Sequence, residues 1–178
     1  MEDRAMMARA HPRLALRPYL AEDTPLLREI FRDSIADLTD EDYTPAQQEA
    51  WASIADDEAA FGKKLASQLT LVGTLEGSGV GFASLAGGDK IDMLYVHPAA
   101  AGQGVGRLLI DALEKLAGSR GTPKLAVDAS DNARGFFEKR GYVAQQRNTI
   151  SVGDEWLANT TLHKTLNSLQ LAAKREAS

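Results

Sequence analysis

One run, IDMLYVHPAAAGQGVGR from Ile91 to Arg107, limits what this chain can become more than any other stretch. It opens as an apolar strand and passes through a loop with Gly102, Gly104 and Gly106 at every second position. The following LLIDALEKLA then repeats apolar residues at helical spacing, which predicts one face from Val105, Leu108, Leu109, Ala112 and Leu116. A strand that delivers small residues to the start of a helix leaves backbone N–H groups free, and such groups hold phosphate. Glycine spacing alone does not name the phosphate. The dinucleotide pattern G-x-G-x-x-G fails in both registers, because its third glycine falls on Arg107 or Leu109, and no G-x-x-x-x-G-K-[ST] is present. A tight strand-to-helix turn explains the glycines equally well.

Composition narrows the classes. The 178 residues carry a net charge of −5, which does not suit a nucleic-acid surface, and their 44% apolar content suits an ordinary soluble domain. No apolar run approaches the roughly 20 residues that span a bilayer. The absence of cysteine excludes a thiol nucleophile, thiolate metal ligands and disulfides. His11, His97 and His163 lie far apart without metal-ligand spacing, so no metal is expected. The cytoplasm is the expected location, with residues 1–13 a flexible lead-in that lacks a secretory apolar core.

Ahead of the glycine loop, LALRPYL reads as a strand that meets a helix start at Asp23-Thr24-Pro25. Leu27, Ile30, Phe31, Ile35 and Leu38 give that helix an apolar face. Thr44-Pro45-x-Gln47 is a capping pattern for a second short helix that carries Trp51, and DDEAAFGKKLAS predicts a third. LTLVGTL, VGFASLA and KIDMLYV, separated by glycine turns, form a meander. After the loop helix come a strand at KLAVD, a helix at NARGFFEKR and two strands around Gly153-Asp154. Residues 167–178 read as a helix or tail. The order predicts an α+β domain, layered αβα, over residues 14–166. Its mixed, mostly antiparallel central sheet has about seven strands flanked by helices.

LYVHPAAAGQGVGRLLIDAL, followed by ASDNARGFFEKRGY, resembles the acetyl-CoA-binding signature of the GNAT superfamily of N-acetyltransferases. The front segment, RPYLAEDTPLLREIFRDSI with DYTPAQQEAW, is similar to a bacterial subgroup of it. The resemblance implies the acyl-CoA N-acyltransferase fold, acetyl-CoA as cofactor and transfer of its acetyl group to a primary amine by direct attack in a ternary complex. A coenzyme A-binding sensor without turnover is the alternative.

The resemblance also implies roles for residues. The pyrophosphate loop would be Ala101, Gly102, Gln103, Gly104, Val105, Gly106 and Arg107, with Ala101 where the family carries Arg or Gln. Leu94, Tyr95 and Val96 would offer backbone groups to the pantetheine arm, and strand alternation sets Met93 and Tyr95 opposite Asp92, Leu94 and Val96. Ser130, Ala133 and Phe137 fall on the later helix motif, with Phe137 where many relatives carry the tyrosine that reprotonates the thiolate. Asp92 is the candidate base, and Tyr43 and Tyr142 are the substitute acids. Tyr43 and Trp51 would border the acceptor, and Asp37, Asp40, Glu41 and Asp42 would form an acidic rim or a solvated turn. The partner is a small-molecule or peptide amine, with no nucleic acid and no membrane, and a homodimer is left open.

Overall fold

A computed structural model describes residues 13–166. The lead-in before residue 13 and the tail from residue 167 lie outside the described residues. Strand β1 (Leu14–Pro18) leads through a short 3-10 turn into α1 (Thr24–Leu38), then α2 (Pro45–Ala52) and α3 (Glu58–Ser67). The meander follows as β2 (Leu69–Leu75), β3 (Ser78–Ala86) and β4 (Lys90–Val96). Then come α4 (Val105–Ser119), β5 (Lys124–Ser130), α5 (Asp131–Lys139), β6 (Val143–Val152) and β7 (Glu155–Thr165). The seven strands make one sheet in the order β1-β2-β3-β4-β5-β7-β6. Its pairings are antiparallel except β4 with β5, so the mixed sheet expected from the element order is the one observed.

Helices cover both faces, and each face has its own core. On one, Leu27, Ile30, Phe31 and Ile35 of α1 and Phe61 and Leu65 of α3 pack on Val72, Phe82 and Met93. Full burial of each such side chain contributes on the order of 1.5–3 kcal/mol. On the other face, α4 and α5 lie over Leu85, Ile91, Leu125 and Val127. The buried stripe of α4 is Val105, Leu109, Ile110, Leu113 and Ala117, so Leu108, Ala112 and Leu116 sit on its half-buried flank instead of its centre. Periodicity located the helix but not its rotation, which the sheet beneath it decides.

Local chemistry explains the front helices. Thr44 Oγ1 accepts from Gln47 N at 3.2 Å and Gln47 Oε1 accepts from Thr44 N at 2.9 Å, closing the capping box at the start of α2. Gln48 Nε2 donates to the carbonyls of Ile35 and Ala36, which are left open at the end of α1. Gln47 Nε2 donates to Trp156 O at 2.8 Å, tying this corner to β7. Among the described residues no helix is long and apolar enough to cross a membrane.

Two features of β4 prepare the site. Ser84 pairs with Met93 and Leu85 with Ile91, so Asp92 is the additional residue of a β-bulge. Its parallel pairing with β5 covers only Lys90 with Ala126 and Ile91 with Val127, after which the strands diverge.

Candidate active site

Where β4 leaves β5, a cleft of about 120 Å³ opens between Leu94, Tyr95 and Val96 on one side and Ala129, Ser130, Ala133 and Phe137 on the other. Beside it lies a second cavity of about 250 Å³, walled by Phe31, Tyr43, Trp51 and Tyr95 and by Ile150, Val152 and Leu157 of the β6–β7 ribbon. Trp51, Asp92, Met93, Tyr95, Asp128 and Ser130 line both. A ligand in one cleft therefore meets a ligand in the other across the bulge in β4.

The glycine loop stands at the far end of β4. Gly102 (φ 76°) and Gly104 (φ 88°) hold left-handed backbone, and Gly104 is the N-cap of α4 without a side-chain cap bond. Among the described residues no acceptor takes the N–H groups from Gly102 to Arg107, so a 15-residue helix begins with unpaired donors. A Cβ on Gly106 would stand 3.7 Å from the Phe136 ring and 3.9 Å from Val96 Cγ2, so the start of α4, the end of β4 and α5 converge there. Ala101, Gln103 and Arg107 are exposed around it. Gln103 Nε2 donates to Ala99 O, while Arg107 lies 3.9 Å from Asp111.

The bulge corrects one expectation. Asp92 does not share a face with Leu94 and Val96. Its Oδ2 accepts from Gln68 Nε2 at 3.0 Å and lies 3.3 Å from Lys64 Nζ, so it faces the α3 layer with Met93 and Tyr95. Strict alternation fails because the residue added by a bulge shifts the phase of the strand. Among the described residues Oδ1 carries no partner, which leaves it as the open acceptor.

The two substitute tyrosines are placed differently from their expected role. Tyr142 is 2% exposed, packs in the core at 5.2 Å from Phe137 and donates to Glu114 Oε1 at 2.9 Å, lining neither cleft. Its hydroxyl is spent on Glu114 away from both clefts, and that removes it as a proton donor; burial, with Glu114 beside it, also holds that hydroxyl far above the usual tyrosine value. Tyr43 does line the larger cavity, but its hydroxyl donates to Ala158 O at 2.7 Å and accepts from Asp131 N at 2.9 Å. Both functions of that oxygen are committed, so Tyr43 is a wall and a clamp between the turn before α2, β7 and the start of α5. Burial also holds its hydroxyl above the ordinary range.

Sequence reasoning missed Asp128. From β5 it lines both clefts, accepts from Thr161 Oγ1 at 2.6 Å and pairs with Lys90 Nζ at 2.9 Å. Burial opposes ionisation, but those two contacts together outweigh it and hold the carboxyl below the usual range. The sequence marked Asp128 only as the end of the KLAVD strand; its place beside β4 comes from the parallel pairing of β4 and β5. The acidic residues expected at the rim, Asp37, Asp40, Glu41 and Asp42, are exposed and line neither cleft; Asp37 lies in the last turn of α1 and the other three lie in the solvated turn after it. His97 caps the turn after β4, its Nδ1 accepting from Ala99 N.

Residues 39–158 match the family profile described as an acetyltransferase (GNAT) domain. The chain belongs to the GNAT family of N-acetyltransferases. It is 32% identical over 146 residues to an uncharacterised N-acetyltransferase of Escherichia coli K12, YafP, covering 82% of this chain and 92% of that one. Among solved structures, a GCN5-related N-acetyltransferase of Rhodopseudomonas palustris, whose description also reads aminotransferase class II, superposes with a TM-score of 0.85 at 63% identity. That match covers 88% of this chain and 97% of the other. The PaiA N-acetyltransferase of Thermoplasma acidophilum, solved with coenzyme A, shares the GNAT fold at a TM-score of 0.70 and 18% identity, over 86% and 99% of the two chains. Against the GNAT loop pattern this chain keeps Gly104 and Gly106 and departs at Ala101. Because the unpaired donors there are backbone N–H groups, that departure leaves them intact.

Proposed function

We propose that this GNAT chain transfers the acetyl group of acetyl-CoA to a primary amine by direct attack in a ternary complex. The observation that carries the reading is the meeting of two clefts at the bulge of β4, one along the parted strands and one among the front helices. The residues present suit the cofactor. The free N–H groups of Gly102 to Arg107 fit a pyrophosphate, and the open edge of β4 from Leu94 to Val96 fits a pantetheine arm, with Ser130, Ala133 and Phe137 on the opposite wall. The Thermoplasma neighbour was solved with coenzyme A. When bound, acetyl-CoA supplies the thioester carbonyl that a neutral amine attacks, forming the C–N bond as the C–S bond breaks.

The chain's part is to hold and move protons. An amine of pKa about 10.4 is neutral in only about one molecule in two thousand near pH 7, so an acceptor for its proton raises the rate. Asp92 Oδ1 is that acceptor, with Oδ2 pinned by Gln68 and Lys64. Asp128, held ionised, attracts the ammonium before it loses its proton. On the sulfur side Phe137 has no proton to give. Tyr95 Oη accepts from Trp51 Nε1 at 3.3 Å, and among the described residues its own proton has no acceptor. Burial holds that hydroxyl far above its usual value, so Tyr95 would keep its proton and donate a hydrogen bond toward the sulfur of a bound coenzyme, leaving the thiol's proton to come from solvent.

Thiol release from acetyl-CoA with a panel of primary amines tests the reading, with calorimetry for the cofactor. Binding without turnover of any amine would favour a coenzyme A sensor instead. Asp92→Asn should lower kcat on the order of a hundredfold near neutral pH. The deficit should shrink as pH rises toward the amine's own pKa, and the affinity for acetyl-CoA should stay unchanged. An unaltered pH profile would retire Asp92 as the base.

A further inference from the structure

We infer that the acceptor is a small monoamine whose remaining body is apolar and planar, an arylalkylamine in chemical class, held between the aromatic residues of the front helices and the β6–β7 ribbon. This inference rests on reading the larger cavity as the acceptor side of an acetyltransferase.

Four observations carry it. The first is the aromatic wall: Phe31 meets Tyr95 edge-on at 4.6 Å, Tyr95 meets Trp51 at 6.3 Å and Trp51 meets Tyr43 at 5.4 Å. These rings are fixed by one another and by the Trp51 to Tyr95 hydrogen bond, so the surface they offer is rigid and suits the face or edge of another ring. The second is the mouth. Ile54, from the turn after α2, and Ile150, from β6, both line the cavity and are 48% and 42% exposed. Large apolar side chains left in water on two separate elements around one opening mark a surface that a hydrophobic ligand covers.

The third observation is where charge sits. Carboxylates enter the lining at Asp92 and Asp128, where the cavity joins the cofactor cleft, whereas Asp37, Asp40, Glu41 and Asp42 stay outside. One ammonium is therefore provided for at the reacting end, and among the described residues no second anionic site awaits the far end of a polyamine. Among the described residues Lys64 is the cation in the lining, and it already pairs with Asp92, so the carboxylate of a free amino acid finds no uncommitted partner there. The fourth is size. About 250 Å³ falls just below the roughly 300–1,000 Å³ of ordinary small-molecule sites, which is room for one ring system and a short arm.

Trp51 makes the inference testable apart from turnover. Trp156, the other tryptophan, is 64% exposed and lines neither cleft, so a Trp156→Phe background leaves Trp51 emission as a report on this cavity. Emission would be titrated with 2-phenylethylamine, spermidine and Nα-acetyl-lysine amide in the presence of coenzyme A, and thiol release measured with acetyl-CoA and the same amines. The expected result is saturable quenching by 2-phenylethylamine and a kcat/KM at least about tenfold above the other two. In the Ile54→Ser/Ile150→Ser variant, where both positions are exposed enough for folding to survive, KM for 2-phenylethylamine should rise about five- to tenfold with KM for acetyl-CoA unchanged. Saturable binding of 2-phenylethylamine with no amine acetylated would uphold the ligand class and overturn acetyl transfer. Preference for spermidine or the lysine amide would overturn the ligand class and leave acetyl transfer standing. If 2-phenylethylamine neither quenches nor reacts, the inference is wrong.

Discussion

Gly81→Ala is the most exacting test of how the sheet seats the glycine loop. Gly73 and Gly81 are cross-strand partners on β2 and β3, and Val105, the first residue of α4, rests on both. A Cβ on Gly81 would lie 2.9 Å from Val105 Cγ1, 3.1 Å from the Tyr95 carbonyl oxygen and 3.3 Å from Val96 Cγ2. Carbon contacts are most favourable near 3.5–4.0 Å, so Val105 must retreat by roughly 0.6 Å or more, and the Tyr95 oxygen belongs to backbone that cannot swing away. Overpacking of this kind costs about 1–3 kcal/mol, while restricting the unfolded chain returns about 0.4–1 kcal/mol. The net loss of about 1–2 kcal/mol should lower Tm by about 2–8 °C in a chain of this size. Because Val105 opens the helix whose N–H groups are proposed to hold the pyrophosphate, calorimetry should also find weaker coenzyme A binding. Gly135→Ala is the control: it lies inside α5 with nothing within 4 Å of its Cβ, and should raise Tm by about 2–4 °C. A Gly81→Ala protein as stable as the parent, with unchanged affinity, would refute this account of the loop's support.

Gly104→Val should weaken coenzyme A binding about tenfold, measured by calorimetry. The reason is backbone strain at φ 88°, since the nearest atom to its Cβ is Leu14 Cδ1 at 3.7 Å and nothing clashes; unchanged affinity would count against the loop as the binding site. Tyr95→Phe should lower kcat about tenfold with acetyl-CoA affinity intact, and an unchanged kcat would remove the hydroxyl from the reaction. Asp23 accepts two hydrogen bonds of 2.7 Å from Arg17 and one of 2.8 Å from Leu20 N at the start of α1. The Arg17 bonds, against the cost of burial, hold its folded pKa below the ordinary value. Its contribution is therefore present above the unfolded pKa of about 3.9 and lost as pH falls through the lower folded value. Thermal scans should find Tm falling below about pH 4, and more gently in Asp23→Asn; identical acid limbs in the two proteins would sink this assignment.

The elements were legible because their signals are local. The Thr44–Gln47 capping box, the glycine turns of the meander and the apolar spacing of α1 each depend on a few neighbouring residues, and each appears where those residues place it, save that Leu38 at the end of the α1 face is 40% exposed. The loop glycines were legible for the same reason: positive φ at Gly102 and Gly104 is a demand that small residues meet. Asp92 was named from the strand it sits on, but its direction was misread, because a bulge arises from how β3 and β4 pair and leaves no mark in either strand alone.

What the sequence by itself determined is the order of strands and helices, the glycine loop and, through its motifs, membership of the GNAT family. Tertiary structure alone decided which tyrosines face the clefts and which carboxylates share them. Tyr142 and Tyr95 are both aromatic residues next to apolar neighbours, and only packing turns one toward Glu114 in the core and the other toward the junction of the clefts. Asp128 reaches that junction because β5 runs parallel to β4 for two residue pairs and then parts from it. A contact across a splayed pair of strands is set by the twist and register of the whole sheet, and no local spacing encodes it.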